Sequence, residues 1–269
     1  VYRIPVGGSN AEGILGYYEC AMEITQQAKE MGLEDATIYS GVGSIGTYMG
    51  LFCGLKNEGS PLGLVGVAIS PFLEAKEKRI MEYFHEVKEL YGLHFDAKRE
   101  DMHIEKDYTR GAYNYPCKEV RDAICYMARR EAIILDPCYT GKAFAGICDM
   151  IREGKIAKGS KIIFLHTGGL PGIYTKHHRV EFEKELNFIP VLNAKVCSVG
   201  EKAVTYEQDG RTVTVPCDSV VLAAGMRAKI ALADSFMGLT PEFDEIGDCV
   251  RARTVEWATK EGFYAAMRI

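Results

Sequence analysis

The sequence predicts an α/β fold: a mostly parallel sheet with helices on both faces, followed by a smaller β/α tail. Three observations carry this. Short apolar runs of strand character alternate with amphipathic helical stretches up to about Lys184. Three polar, glycine-bearing turns, SGVGSIGT, DPCYTGK and HTGG, each follow such a run, where ligands bind in parallel sheets. Beyond Lys184 the pattern changes to strict alternation around Asp209-Gly210, a hairpin signature.

The elements follow in order. Ala11 to Gly32 reads as a helix, because Ile14, Tyr17, Tyr18, Ala21, Ile24 and Ala28 recur at helical spacing and Gly32 lies just past the end. ATIY (36–39) is a strand, SGVGSIGT (40–47) a loop and 48–55 a small-residue helix. LGLVGVAIS (62–70) reads as a buried strand, and 72–91 and 118–130 as helices. AIIL (132–135) reads as a strand ending at Asp136-Pro137, 141–153 as a helix, and KIIFLH (161–166) as a strand. In the tail, 203–216 forms the hairpin, SVVLAA (219–224) a strand and 254–267 a final helix. The texture places the domain boundary between 184 and 185.

Composition excludes several classes. The 269 residues are 47% hydrophobic and 26% charged with net charge −5, so the chain is globular and has no general attraction for nucleic acid or an anionic membrane. The uncharged run 36–55 carries five Gly, two Ser and two Thr, too polar to span a bilayer. Nine scattered cysteines with no CxxC read as reduced thiols in a cytoplasmic protein, and no metal-ligand spacing is present. The His177-His178 pair reads as solvated surface. The chain opens on Val rather than Met and without a signal peptide, which reads as the interior of a longer protein.

SGVGSIGT is the sharpest local signal. A glycine-rich strand-to-helix turn converges backbone N–H groups at a helix N-terminus and suits a phosphate, though it is neither a Walker loop nor a clean dinucleotide fingerprint. An empty tight turn reads equally well. Tyr139-Thr140 sits at a second such turn, where Tyr139 stacks on a ring or moves a proton, or Thr140 merely caps the helix. Thr167 either donates to a ligand or caps its turn. Tyr108, Tyr113 and Tyr115 share one loop, from which one faces a pocket or all cover the surface.

Together, IPVGGSNAEGILGYYECAMEI, SGVGSIGT, LDPCYTGKAFAGICDMI and IIFLHTGGLPGIY resemble the D-cysteine desulfhydrase and 1-aminocyclopropane-1-carboxylate deaminase family. The resemblance runs from Val1 to about Tyr174. It implies a fold like the tryptophan synthase β subunit, here incomplete, and pyridoxal phosphate (PLP) as cofactor. Gly43, Ser44, Ile45, Gly46 and Thr47 are implied to hold the phosphate, and Asn10 to lie near the ring hydroxyl. Tyr139 is implied to stack near the ring, Thr167 to contact its nitrogen and Tyr113 to line the substrate side. The deaminase branch is expected to carry Glu where this chain has Thr140, so cofactor-site Thr140 favours the desulfhydrase branch. The implied reaction removes the α-proton and expels the β-thiol of D-cysteine, giving pyruvate, ammonia and hydrogen sulfide. The family's Schiff-base lysine belongs to a region without counterpart here. No Lys has the matching context, and Lys142 is not assigned the role.

The tail segments VVLAAGMR (220–227) and IGDCVRARTVEWATKEGFYAAMRI (246–269) resemble the C-terminal end of flavin-dependent enoate or dienoyl-CoA reductases. This implies FAD, with Asp248 on the ribityl chain. Three functions are therefore carried forward: a PLP lyase acting on a small amino acid, a flavin oxidoreductase fragment, and a non-catalytic remnant. Two incomplete sheets would expose edges and apolar faces, so homo-oligomers are expected.

Overall fold

A computed structural model describes residues 3–223, 225–239 and 243–268. The chain divides into two compact units, Val1–Ile189 and Pro190–Ile269.

In the first unit, helix α1 (Leu15–Glu30) leads into strand β1 (Thr37–Val42), helix α2 (Gly46–Asn57), strand β2 (Gly63–Ala68) and helix α3 (Glu74–Tyr91). A two-residue strand β3 (Ile104–Glu105) precedes helices α4 (Lys118–Glu131) and α5 (Thr140–Arg152), strand β4 (Ile162–Phe164) and helix α6 (Lys176–Glu185). The sheet runs β3-β2-β1-β4 with every pairing parallel. Thr37 of β1 is in register with Gly63 on one side and Ile162 on the other. The chain steps outward from β1 to β2 to β3, then returns to the opposite flank for β4. The order therefore reverses between β1 and β4, and the crevice beyond their carboxyl ends is where parallel sheets bind ligands.

Alternation along β1 sorts the two faces. Ile38 packs with Ala21, Ala28, Leu51 and Leu55 from α1 and α2, whereas Tyr39 packs with Ala143, Ile147 and Met150 of α5. Small residues bring α1 and α2 together: a Cβ added at Gly54 would lie 2.8 Å from Ala21 Cβ. A third cluster under α3 joins Phe52, Phe84 and Phe95 in edge-on and tilted contacts.

Two expected strands do not form. Residues 132–135 are irregular and have no ladder partner. Ala132 ends α4 in a left-handed conformation, Ile133 and Ile134 are exposed, and the Ile134 carbonyl accepts from the His166 ring instead of a neighbouring strand. Residues 219–223 are likewise irregular, with Val221 and Leu222 exposed, and Ala224 lies outside the described residues.

The second unit holds an antiparallel sheet of β5 (Lys195–Val199), β6 (Ala203–Gln208) and β7 (Arg211–Pro216), with the expected β6–β7 turn at Asp209-Gly210. A short helix α7 (Ile230–Asp234) and helix α8 (Val255–Ala266) follow. Among the described residues, no helix is long and apolar enough to cross a membrane.

Candidate functional site

A cavity of about 480 Å³ opens at the reversal point between β1 and β4. Its walls include five segments of the chain: Gly7; Ser44 and Thr47; Tyr113 and Asn114; Asp136, Cys138 and Tyr139; and Thr167 to Gly169.

The glycine loop joins the end of β1 to the start of α2. Ile45 caps α2 with φ 76°, a left-handed conformation that strains a β-branched residue. Its side chain is buried in the α2–α3 core, which holds the strain in place. Left-handed backbone beside a helix start turns successive N–H groups toward one point, and those of the first helical turn have no intrahelical acceptor. Across the loop, Ser9 Oγ–H donates to Ser44 Oγ at 2.6 Å.

Tyr139 covers this loop. The Gly43 N–H donates to its hydroxyl at 2.8 Å. Burial pushes the Tyr139 phenol up to about 12, against a lowering by the Gly43 bond. The hydroxyl therefore keeps its proton while accepting from Gly43. Tyr113, on the facing loop, is also raised to about 12, first by its hydrogen bond with the Cys138 thiol and then by burial.

Tyr139 is aimed by the cap of α5. The buried Asp136 carboxylate accepts the N–H groups of Cys138, Tyr139 and Thr140 at 2.7–2.8 Å, and the Thr140 hydroxyl at 2.7 Å. The Asp136 N–H in turn donates to Thr140 Oγ1. Thr140 thus lies in the cap behind the cavity wall. Asn10 takes a similar place at the entry to α1: its Oδ1 accepts the Gly13 N–H and its backbone carbonyl accepts the Tyr83 hydroxyl. On the β4 side, His166 Nδ1 accepts the Gly168 N–H, so Nε2 carries the ring proton donated to Ile134. That fixes the turn presenting Thr167.

Lys142 is fully buried, and its ammonium donates to the carbonyls of Ile69, Thr109 and Ala112. Burial lowers its pKa. It thereby ties the loop at Thr109 and Ala112 to α5 and to the end of β2. Lys142→Met is expected to reduce the unfolding free energy by about 2–3 kcal/mol, measured by urea denaturation, with faster amide exchange at 109–115. Unchanged exchange there would show that the loop does not depend on Lys142. No lysine of the described residues lines the cavity.

The structure brings Ser44, Thr47, Tyr113, Tyr139 and Thr167 to one cavity and places Asn10 and Thr140 in helix-start contacts. Asp248 is exposed in the second unit, where its Oδ1 accepts the Arg253 N–H. Sequence reasoning passed over Asp136 as a cap, although acid-Pro followed by Thr at a helix start is a legible signal. The reading of His177-His178 as solvated surface is corrected for one ring: His178 is fully buried because its Nε2 reaches Asn114 Oδ1 inside the wall. Among the described residues no group of three or more His, Cys, Asp or Glu could hold a metal ion.

Comparison with known proteins accords with this geometry. A family model described as pyridoxal-phosphate dependent enzyme matches residues 1–168. A putative 1-aminocyclopropane-1-carboxylate deaminase of Pyrococcus abyssi is 38% identical over 173 residues, covering 64% of this chain and 51% of that protein. A D-cysteine desulfhydrase of Salmonella paratyphi C is 37% identical over 180 residues, covering 66% and 53%. A crystal structure of an ACC deaminase homologue superposes with a TM-score of 0.59 at 35% identity, covering 69% of this chain and 53% of that one. The chain therefore spans about half the length of the curated relatives it matches. With a glycine loop, a tyrosine lid and a threonine turn around one cavity, and a family match over residues 1–168, the chain belongs to the pyridoxal-phosphate dependent enzymes.

Proposed function

We propose that this chain supplies the phosphate grip, ring wall and substrate-facing hydroxyls of a PLP lyase acting on a small amino acid. The reaction proposed is β-elimination of D-cysteine with water to give pyruvate, ammonia and hydrogen sulfide. The observation that carries it is the Gly43 N–H to Tyr139 hydroxyl bond, which ties the ring-stacking residue to the phosphate loop across one cavity.

The residues present fit the cofactor at its phosphate and ring. Backbone N–H groups of Ser44, Ile45, Gly46 and Thr47 and the Ser44 and Thr47 hydroxyls would hold the phosphate, while Gly43, whose N–H is given to Tyr139, shapes the loop. Thr167 would meet the ring nitrogen with a neutral hydroxyl. Asn10 and Thr140 would support the site through the helix starts they brace. When bound, the cofactor supplies the electron sink that acidifies the substrate α-proton. Tyr139, protonated and adjacent, holds a proton for transfer at its Oη, and Tyr113 faces the departing thiol. Thr140, buried in the α5 cap, stands where the deaminase branch is expected to carry Glu, which favours thiol elimination over cyclopropane ring opening.

The flavin reading of the second unit rests on the Gly247-Asp248 resemblance. There the Gly247 N–H donates to Glu261, itself paired with Arg253, and α8 begins just after.

The test is a visible spectrum and dialysis of the 269-residue chain with PLP, followed by borohydride and peptide mapping. Expected are reversible retention of PLP, displacement by inorganic phosphate, and no cofactor fixed to Lys142. Sulfide release from D-cysteine should stay near the rate of free PLP, because the described cavity wall offers no lysine. Failure to retain PLP overturns the reading. A borohydride-fixed Lys142 overturns its structural assignment.

A further inference from the structure

Asn114 adjoins Tyr113, lines the same cavity and has a left-handed backbone, φ 56°. Its side-chain amide is held at both ends. Nδ2 lies 3.0 Å from His177 Nε2, and Oδ1 lies 2.8 Å from His178 Nε2. An amide nitrogen only donates and an amide oxygen only accepts. His177 Nε2 is therefore an unprotonated acceptor, and His178 Nε2 carries a proton and donates it. His178 is fully buried and its Nδ1 has no hydrogen-bond partner, so a second proton there would lack an acceptor. Burial, reinforced by His177 and Arg121, holds its pKa below the ordinary histidine value. The two rings lie 4.4 Å apart, and α6, which carries them, is tied to α4 by the Arg121–Glu185 ion pair.

We propose that Asn114 is a substrate-contacting residue and that His177 and His178 are its positioning residues. They fix the amide so that its second N–H and second oxygen lone pair meet the hydrogen-bonding groups an amino acid adds to the cofactor. This rests on the PLP reading above. Two features make the arrangement selective. The amide is used at one donor and one acceptor position only, and a rotated Asn114 would require both rings to change tautomer, leaving a proton on the buried His178 Nδ1 with no acceptor. The groups facing His178 are Arg121 from α4, Asp136 from the turn before α5, Lys142 from α5 and His177 of its own helix. Around His177 lie Lys176 and Glu181 of α6 and Tyr115 of the 109–115 loop.

Two probes separate cofactor from substrate contacts: PLP alone, and phosphopyridoxyl-D-alanine, the stable secondary amine made by joining PLP to D-alanine with borohydride. Neither needs a lysine to bind. Asn114→Ala is expected to weaken the conjugate roughly tenfold and PLP far less. His177→Leu should act in the same sense. His177→Gln, which keeps an acceptor, should recover part of that loss. Equal losses for both probes, or none for either, overturn the proposal. If wild type binds neither probe, the PLP reading fails instead, and the substrate contact with it. Imidazole tautomers seen by nitrogen NMR then decide the positioning. A proton on His177 Nδ1 and on His178 Nε2 supports it, and any other pair of tautomers overturns it.

Discussion

Asp136→Ala is expected to reduce the unfolding free energy of the 1–189 unit by about 3–5 kcal/mol. The carboxylate satisfies three backbone N–H groups and one hydroxyl at the start of α5, all within 2.8 Å. Alanine would leave those donors in a largely buried turn without their carboxylate acceptor. Charged acceptors make the stronger class of hydrogen bond, so the cost exceeds that of an ordinary cap. Asp136→Asn keeps an oxygen but turns one acceptor into a donor facing other donors, so it should recover little. Urea denaturation measures both. A loss below about 1 kcal/mol for alanine would show that water reaches the turn. The same variant should weaken PLP binding, because the Tyr139 N–H is one of the three groups that the cap holds.

Gly43→Ala should have the largest effect on cofactor binding. A Cβ there would lie 2.9 Å from both Tyr139 Cε2 and its hydroxyl oxygen, closer than real side chains approach. The Tyr139 ring cannot retreat the other way, because Gly41 already meets its opposite edge: a Cβ at Gly41 would lie 2.8 Å from Cδ1. The ring must leave the loop, and the Gly43 bond goes with it. PLP affinity is expected to fall roughly 100-fold or more, equivalent to about 2.7 kcal/mol. A double-mutant cycle with Tyr139→Ala tests the cause. If the clash with Tyr139 is the damage, adding Gly43→Ala to Tyr139→Ala should cost little more. Additive losses would instead place the damage in the loop's own backbone.

The glycine loop of this site was readable because its signal is local. A strand, a glycine run and a helix start are adjacent in the chain, although β1 runs on to Val42 and α2 starts at Gly46, so the loop is shorter than the expected 40–47. Helix α6 was not readable, since KHHRVEFEKE has little apolar periodicity and depends on the Arg121–Glu185 pair. The same distance hid His178: its burial comes from Asn114, 64 residues earlier in sequence. AIIL has the apolar β-branched content of a strand, yet sheet membership needs a neighbour, and His166 occupies the carbonyl of Ile134. Thr140 was readable as a polar residue at a turn, whereas Asn10 entered only through the family resemblance. Whether such a residue faces a ligand or a backbone N–H depends on the partner across the turn, and for Thr140 that partner is Asp136.

The span of the chain around the cavity has a consequence for how the protein assembles. Gly43 and Tyr139, in hydrogen-bond contact, are separated by 96 positions, and Lys142 reaches back 73 to Ile69. Closing loops of that length is slow, and contacts between distant segments form late in folding. During synthesis the phosphate loop emerges long before the tyrosine that lids it, and the Thr167 turn emerges later still. A glycine loop with strained backbone at Ile45 therefore stays uncovered until the last strand docks on β1. Completion of the cavity is a long-range event, late in folding.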